Sequence, residues 1–358
     1  MGTRRLWLAI SIAALVVLPF VLKNYQVTIA AFVLINATAA LGLNVLTGYA
    51  GQISLGHAAF VALGGYGAAL LQTQFGMPIW ISLPVAGILT SLFGLILVIP
   101  ALRLTEIYLA IATLGFGVAV QEVIPQWDLL GGSQGLSISR ATAFDAWLDV
   151  ESALGPLTLT PRIKLYFVVV VVGAVLWWLT RNALRSGLGR MFVAVRDREL
   201  AAESLGVSLA RTKAYAFLLS AFLTGVAGAL HANLVGYINA SNFGLALSIE
   251  FLAMIAIGGI ASMPGALLGA AFITLLNRLD IIQWLQQLFD WIQQFIQGAD
   301  SFRFVLGPWL IGFIEGAALL AAILFMPYGL WGALLRLRGR SRKWMTSVRE
   351  LLGGASRA

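Results

Sequence analysis

The sequence predicts an all-α, polytopic integral membrane protein with about ten transmembrane helices, the count lying between eight and ten. Three observations predict it. Of 358 residues, 60% are hydrophobic and 11% charged, with mean hydropathy +0.91, whereas soluble domains carry about 25% charged residues. Apolar runs approaching the ~20 residues needed to cross a ~30 Å hydrocarbon core recur along the whole chain. Lys and Arg concentrate in alternate connections, the pattern of a multi-pass chain that keeps its basic loops in the cytoplasm.

The first run, MGTRRLWLAISIAALVVLPFVLKNYQ, places Arg4 and Arg5 ahead of an apolar core. No small-x-small cleavage pattern follows it, so it reads as an uncleaved first span. Spans are predicted to begin near Leu6, Val27, Gly56, Ile79, Thr105, Leu165, Ala214, Ser248, Gly265 and Phe304. With the N-terminus inside, Arg4, Arg5, Arg103, the basic residues from Arg181 to Lys213 and those from Arg336 to Arg357 all fall on one side, 17 of the 23. The other side receives Lys23, Arg140, Arg162, Lys164, Arg278 and Arg303 with most of the acids, among them Asp128, Asp145, Asp149, Glu151, Asp280, Asp290 and Asp300. The asymmetry places both termini in the cytoplasm, with residues 1–358 forming a single transmembrane domain.

Three polar regions interrupt the apolar pattern. The outer loop, about 121–164, holds the Gly-rich turn region GGSQGLSI. The inner connection, about 181–213, is the longest cytoplasmic one. The third, IIQWLQQLFDWIQQFIQ over about 281–297, spaces Ile281, Leu285, Leu288, Ile292 and Phe295 at four and three residues with glutamines between them. That is an amphipathic helix, read as lying on the outer membrane surface or, alternatively, as part of a docking rim for an external protein.

Several function classes are excluded. There is no cysteine, so no disulfide or thiolate chemistry, and His57 and His231 are the only histidines, too few for a histidine-rich metal centre. No GxxxxGK[ST] or HExxH motif occurs. No cofactor and no catalytic set are expected, so the chain reads as a transport component and not an enzyme. The net charge of +8 is accounted for by cytoplasmic Lys and Arg, with membrane lipid and not nucleic acid as the surrounding partner. Ionisable residues within a bilayer are functional suspects. Glu106 and Glu122 fall near span ends, whereas Glu250 and Glu315 fall deeper and are candidates to line a solute path.

The stretch TGYAGQISLGHAAFVALGGYGAALL, Thr47 to Leu71, sets Gln52, Ser54 and His57 among six glycines. Gly51 and Gly56 permit a turn or close backbone approach there. A helix broken within the membrane exposes N–H and C=O groups that hold polar solutes. A cytoplasmic turn followed by tightly packed helices accounts for the same residues, and spacing does not choose between the two.

The inner connection includes GRMFVAVRDRELAAESLGVSLARTKAYAF. Within it RELAAESLG predicts a short helix of good formers, Glu199, Ala201, Ala202 and Leu205, stopped at Gly206. Ser208 is placed to cap the helix that follows. Small residues on one face suit insertion into a groove of a soluble partner, and a solvated connector is the other reading.

These segments, with SIEFLAMIAIGGIASMPGALLGAAF and FMPYGLWG, resemble the permeases of branched-chain amino acid ABC transporters of the LivM type over nearly the whole chain. The resemblance implies a permease subunit that forms a translocation path with a second permease subunit of the same family. It implies two cytoplasmic ATP-binding subunits docked on a coupling loop containing Arg190, Arg196, Glu199, Ala201, Ala202 and Gly206, and a periplasmic solute-binding protein. The absent phosphate loop agrees, since ATP would be hydrolysed on another chain. The resemblance also covers permeases for urea and short amides. An ion-coupled secondary transporter is the remaining alternative, disfavoured by the scarcity of deep ionisable groups. The Gln-rich stretch is longer than the family pattern implies.

Overall fold

The structure is a computed structural model that describes residues 15–104, 106–138, 146–154, 157–278, 316–317 and 329–336. About half of the predicted first span and nearly all of the last lie outside the described residues, as do Glu315 and the Gln-rich stretch 281–297.

Among the described residues, five helical segments are long and apolar enough to cross a membrane: Asn24–Tyr49, Ile79–Arg103, Ile107–Gln126, Pro161–Arg185 and Leu209–Val235. We number the helices α1 (Asn24–Leu43), α2 (His57–Thr73), α3 (Ile79–Ile96), α4 (Val98–Arg103), α5 (Glu106–Val123), α6 (Pro161–Arg185), α7 (Gly187–Asp197), α8 (Glu199–Ser204), α9 (Leu209–Val235), α10 (Leu245–Gly258) and α11 (Met263–Arg278). The predicted spans beginning near Gly56, Ser248 and Gly265 correspond to α2, α10 and α11, of 17, 14 and 16 residues. At 1.5 Å per residue these fall short of a full crossing.

Local sequence accounts for the long helices. α6 contains the run VVVVV, β-branched residues with modest helix propensity in water. In hydrocarbon each backbone N–H and C=O must be paired within the segment, and the helix is the conformation that does so. Pro161 occupies the first turn, where its missing N–H costs nothing. α3 starts at Pro78, whose carbonyl accepts from the N–H groups of Ile81 and Ser82, and carries Pro84 in its interior.

α9 is the centre of the molecule, packed against α1, α2 and α3. Its packing face is built of small residues: Gly225 lies against Gly64, and Gly228 against Val61. Close backbone approach of this kind replaces the hydrophobic effect, which does not drive association inside lipid. α10 and α11 form a hairpin in which Gly258 meets Gly265 and Gly269 meets Met254. The hairpin turn contains Ala261 at φ 58, a left-handed conformation unusual for alanine. Asn44, fully buried, holds that turn from α1: its Oδ1 accepts from the Ala261 N–H at 2.9 Å, and its Nδ2 donates to the Ser262 carbonyl at 2.9 Å. Asn44→Leu removes both bonds and leaves a buried N–H unpaired, which costs about 1–3 kcal/mol for that group alone. We expect a clear fall in the melting temperature of the purified protein in detergent.

The outer region departs from the all-α expectation. Leu136–Ser137 pairs antiparallel with Tyr237–Ile238, and Ser152–Leu154 pairs with Leu157–Leu159. The first pair ties GGSQGLSI to the end of α9. It is reinforced by Tyr237, whose hydroxyl donates to the Gln134 carbonyl, and by Asn239 Nδ2 donating to the Ser133 carbonyl at 3.2 Å. On the inner side the predicted 181–213 loop is mostly helix. α6 continues through Arg185 and α9 begins at Leu209, so Arg181, Arg185, Arg211 and Lys213 sit on helix ends and not in a loop.

Candidate translocation and coupling site

α1 does not end cleanly. It passes into a π-helical turn, Asn44–Tyr49, and the chain then runs without helix until His57 starts α2. Gly51, at φ +72, makes the reversal. The chain does not turn back at the helix end alone. Gly56 lies against Thr113 and Gly117, near the middle of α5, and His57 lies beside Thr224, near the middle of α9. The first turn of α2 therefore begins within the packed helices. Both readings of the stretch meet this arrangement: the chain is irregular from Ala50 to Gly56, and it enters tightly packed helices at His57.

The break is lined by polar groups that the fold partners. The Leu55 N–H donates to Thr113 Oγ1 at 3.0 Å, and the Ala58 N–H, one of the unpaired donors of the α2 N-terminus, donates to Ser248 Oγ of α10 at 3.0 Å. Thr224 Oγ1 lies 2.8 Å from the Ser220 carbonyl and shares a hydrogen bond with His57 Nε2 at 2.7 Å. His57 is fully buried and its ring meets Phe60 and Phe251 edge-on. Its Nδ1 is buried with no hydrogen-bond partner among the described residues, and the second histidine, His231, packs its ring between Phe32 and Phe243. No cluster of three metal-ligating side chains occurs among the described residues. Ser54 Oγ is fully buried and has no hydrogen-bond partner among the described residues.

Below the break, towards the end of the molecule that carries α7 and α8, lies a cavity of about 580 Å³. Gly51 and Gln52 form its upper wall, Arg103 and Ile107 one side, and Arg196 and Lys213 the other. Gln52 is buried and donates from Nε2 to the Ala50 carbonyl at 3.4 Å. Arg196 connects the two regions. One guanidinium nitrogen donates to the Gly48 carbonyl at 3.0 Å, and the same group pairs with Asp197 at 2.9 Å. Lys213, almost fully buried, is 2.8 Å from Glu199 and donates to the Ala101 carbonyl at 2.9 Å. The short helix α8 is thereby fastened to α4 and α9, and α7 to the π-helical turn.

α8 runs from Glu199 to Ser204. Gly206, at φ +83, terminates it: the Val207 N–H donates to the Ala202 carbonyl at 3.0 Å and the Gly206 N–H to Glu203 at 2.9 Å, the paired bonds of a Schellman stop. Ser208 holds the N-cap position of α9, but its side chain makes no capping bond. The small residues are divided between faces. Ala202 is buried in its own chain while Ala201 is exposed. A glutamate at Ala202 would therefore disturb this chain's packing before it met any partner. The side chains that project are Leu200 and Leu205, 82% and 84% exposed, and Arg190 is exposed on α7.

Of the residues singled out by sequence, Gly51, Gln52, Arg196 and Glu199 line one cavity, and Ser54, Gly56 and His57 stand above it. Glu250 is half-buried on α10, two residues from Ser248. Sequence reasoning missed Thr113, Thr224 and Ser248, single hydroxyls in apolar runs, and Leu200 and Leu205, whose exposure is a property of the fold.

Span-length apolar helices, with the irregular chain between α1 and α2 bonded directly to α7, mark a membrane protein. Comparison with known proteins specifies which. The family model for the permease component of branched-chain amino acid transport systems matches residues 25–311. The high-affinity branched-chain amino acid transport system permease proteins LivM of Salmonella typhimurium and Escherichia coli are each 34% identical over 291 residues, 77% of this chain and 68% of theirs. The autoinducer 2 import system permease protein LsrC of an Enterobacter species is 29% identical over 256 residues, 69% of this chain and 67% of its own. No solved structure matches. The chain belongs to the branched-chain amino acid transport permease family. It is a multi-pass bacterial inner membrane protein, a transport subunit and not an enzyme.

Proposed function

We propose that this chain is a permease subunit of an ATP-binding-cassette importer for branched-chain or related small neutral amino acids. It forms the translocation path with a second permease subunit, has about ten spans and keeps both termini in the cytoplasm. Two cytoplasmic ATP-binding subunits dock on α7 and α8, and a periplasmic solute-binding protein delivers the solute. The observation that carries this reading is the Arg196 bond to the Gly48 carbonyl. It joins the helix pair that a partner can grip to the backbone of the broken span, so movement of one displaces the other.

The polar groups of the break supply the path. Broken-helix ends meet a carboxylate or an ammonium without fixed side-chain charge, in keeping with a region whose polar side chains are Thr113, Ser248, Ser54 and His57. Ser54 offers a hydroxyl with no internal bond to give up, while Thr113 and Ser248 cap the α2 N-terminus until solute replaces them. Higher identity to the LivM proteins than to the LsrC protein favours amino acids over autoinducer 2.

The test is to assemble the complex with its cognate ATP-binding and solute-binding proteins and measure uptake into ATP-loaded vesicles. Leucine, isoleucine and valine should bind the solute-binding protein and accumulate only with ATP inside. Binding and uptake of urea, an amide or autoinducer 2, with aliphatic amino acids inert, would overturn the substrate assignment. Uptake driven by an ion gradient without ATP would overturn the importer class.

A further inference from the structure

A second polar cavity lies at the Arg185 end of α6, on the far side of the molecule's inner end from α8. Its volume is about 760 Å³. Arg181 and Arg185, one helical turn apart, reach it from the last turns of α6. Tyr49, Trp177 and Trp331 give it aromatic walls, and the Ala261–Pro264 turn gives it a floor. Neither Arg181 nor Arg185 forms an ion pair with an acid among the described residues. Two arginines one turn apart, on the final turns of a span, match a phosphate in geometry and in charge.

Trp177 is also part of a second, apolar crevice of about 160 Å³ between α1, α6 and α11, bordered by Leu41, Val169, Gly173 and Leu267. That crevice in turn shares Leu15 and Leu34 with an apolar groove of about 350 Å³ that runs outward past Val33 and Leu275 to Leu22. Shared lining residues thus string three cavities along one side of α1 and α6, basic and aromatic at the inner end and apolar beyond it. The outer face of α6 alongside is apolar as well, with Val171, Val175, Trp178 and Leu179 exposed. A free anion would need only the arginines. A phosphate carrying a long hydrocarbon chain uses the whole series.

We propose that Arg181 and Arg185 bind the phosphate of an anionic phospholipid of the cytoplasmic leaflet, whose acyl chain lies in the crevice between α1, α6 and α11. Basic pockets between membrane helices on the cytoplasmic side recognise such headgroups. The headgroup abuts the turn that Asn44 holds and the π-helical turn at Tyr49, so the lipid braces the inner end of the broken span. The inference depends on the charge asymmetry that makes this end cytoplasmic, and not on the identity of the solute.

The experiment uses the full-length chain in its transporter complex, extracted from native membranes, with lipid quantified by mass spectrometry after extensive detergent washing. Nanodiscs of phosphatidylcholine with and without phosphatidylglycerol then measure re-binding. Wild type should retain phosphatidylglycerol selectively. Arg181→Gln with Arg185→Gln should weaken that retention about 30-fold, the effect of two basic groups near a membrane surface. Gly173→Leu is the second variant. A Cβ at Gly173 meets nothing closer than Thr38 Oγ1 at 3.8 Å, so the larger side chain fills the crevice without moving backbone, and it should lower retention while leaving the melting temperature unchanged. Equal retention by the double arginine variant would overturn the site. Retention that survives Gly173→Leu and is displaced by inorganic phosphate would make it a free-anion pocket and overturn the lipid assignment. Both readouts are lipid stoichiometries, so they stand or fall separately from transport.

Discussion

Gly56→Val is expected to reach the membrane in near-normal amount and to transport at a small fraction of the wild-type rate. A Cβ at Gly56 would lie 1.8 Å from the Thr113 carbonyl oxygen and 2.7 Å from its carbon, with the Gly117 nitrogen at 3.2 Å. All three atoms are backbone of α5, so no rotamer change relieves the clash. α2 and α5 must separate, and separation breaks the Leu55 to Thr113 bond that holds the start of α2. Displacing a positioned group by about 1 Å costs on the order of 100-fold in function, and we expect uptake to fall by at least that much. The matched control is Gly67→Ala in the same stretch, where the added Cβ meets only Ala86 at 3.6 Å, an ordinary contact. It should be neutral in both abundance and uptake. Abundance is read by immunoblot of the membrane fraction and uptake by labelled leucine in the assembled complex. Wild-type uptake by Gly56→Val would show that the α2–α5 approach is packing alone and that solute passes elsewhere.

Leu200→Glu combined with Leu205→Glu is expected to strip the ATP-binding subunits from the permease. Both leucines project from α8 and its stop, with little contact to their own chain. Burying each against a partner contributes about 1.5–3 kcal/mol, so losing both weakens docking by about 100-fold or more. The new carboxylates add a desolvation cost at the same face. The melting temperature of the isolated permease should stay unchanged, because neither side chain supports the fold. Co-purification and solute-stimulated ATP hydrolysis should both collapse. If subunit stoichiometry and stimulated hydrolysis are unaltered, α8 is a solvated connector and the ATP-binding subunits dock elsewhere. Arg196→Ala separates docking from transmission: it leaves the leucines in place, so the subunits should still co-purify while uptake is lost with the Gly48 bond.

Parts of the inner connection were legible from residues alone. Good helix formers from Glu199 onward and a glycine with no side-chain cost at positive φ define α8 and its end within a few residues. The face that α8 turns outward was not legible. In a helix of six residues the hydrophobic pattern is too short to distinguish an inner face from an outer one, and the small residues split, Ala202 inward and Ala201 outward. The strands of the outer region escaped for a similar reason. Segments of two and three residues carry no measurable alternation.

The sequence by itself determined that this is a multi-pass membrane protein, apolar over most of its length and poor in charge. Those properties are sums over local composition, and the bilayer acts on each segment independently of where the other segments go. It also determined the motifs that mark a permease family. Only the tertiary structure decided which groups partner the irregular backbone between Gly51 and Gly56. Those neighbours come from far along the chain. Thr113 is 58 residues from Leu55, Ser248 is 190 from Ala58, Arg196 is 148 from Gly48 and Ala261 is 217 from Asn44. An unpaired N–H or C=O within lipid is costly, and whether it is paired is settled by packing that no local pattern encodes.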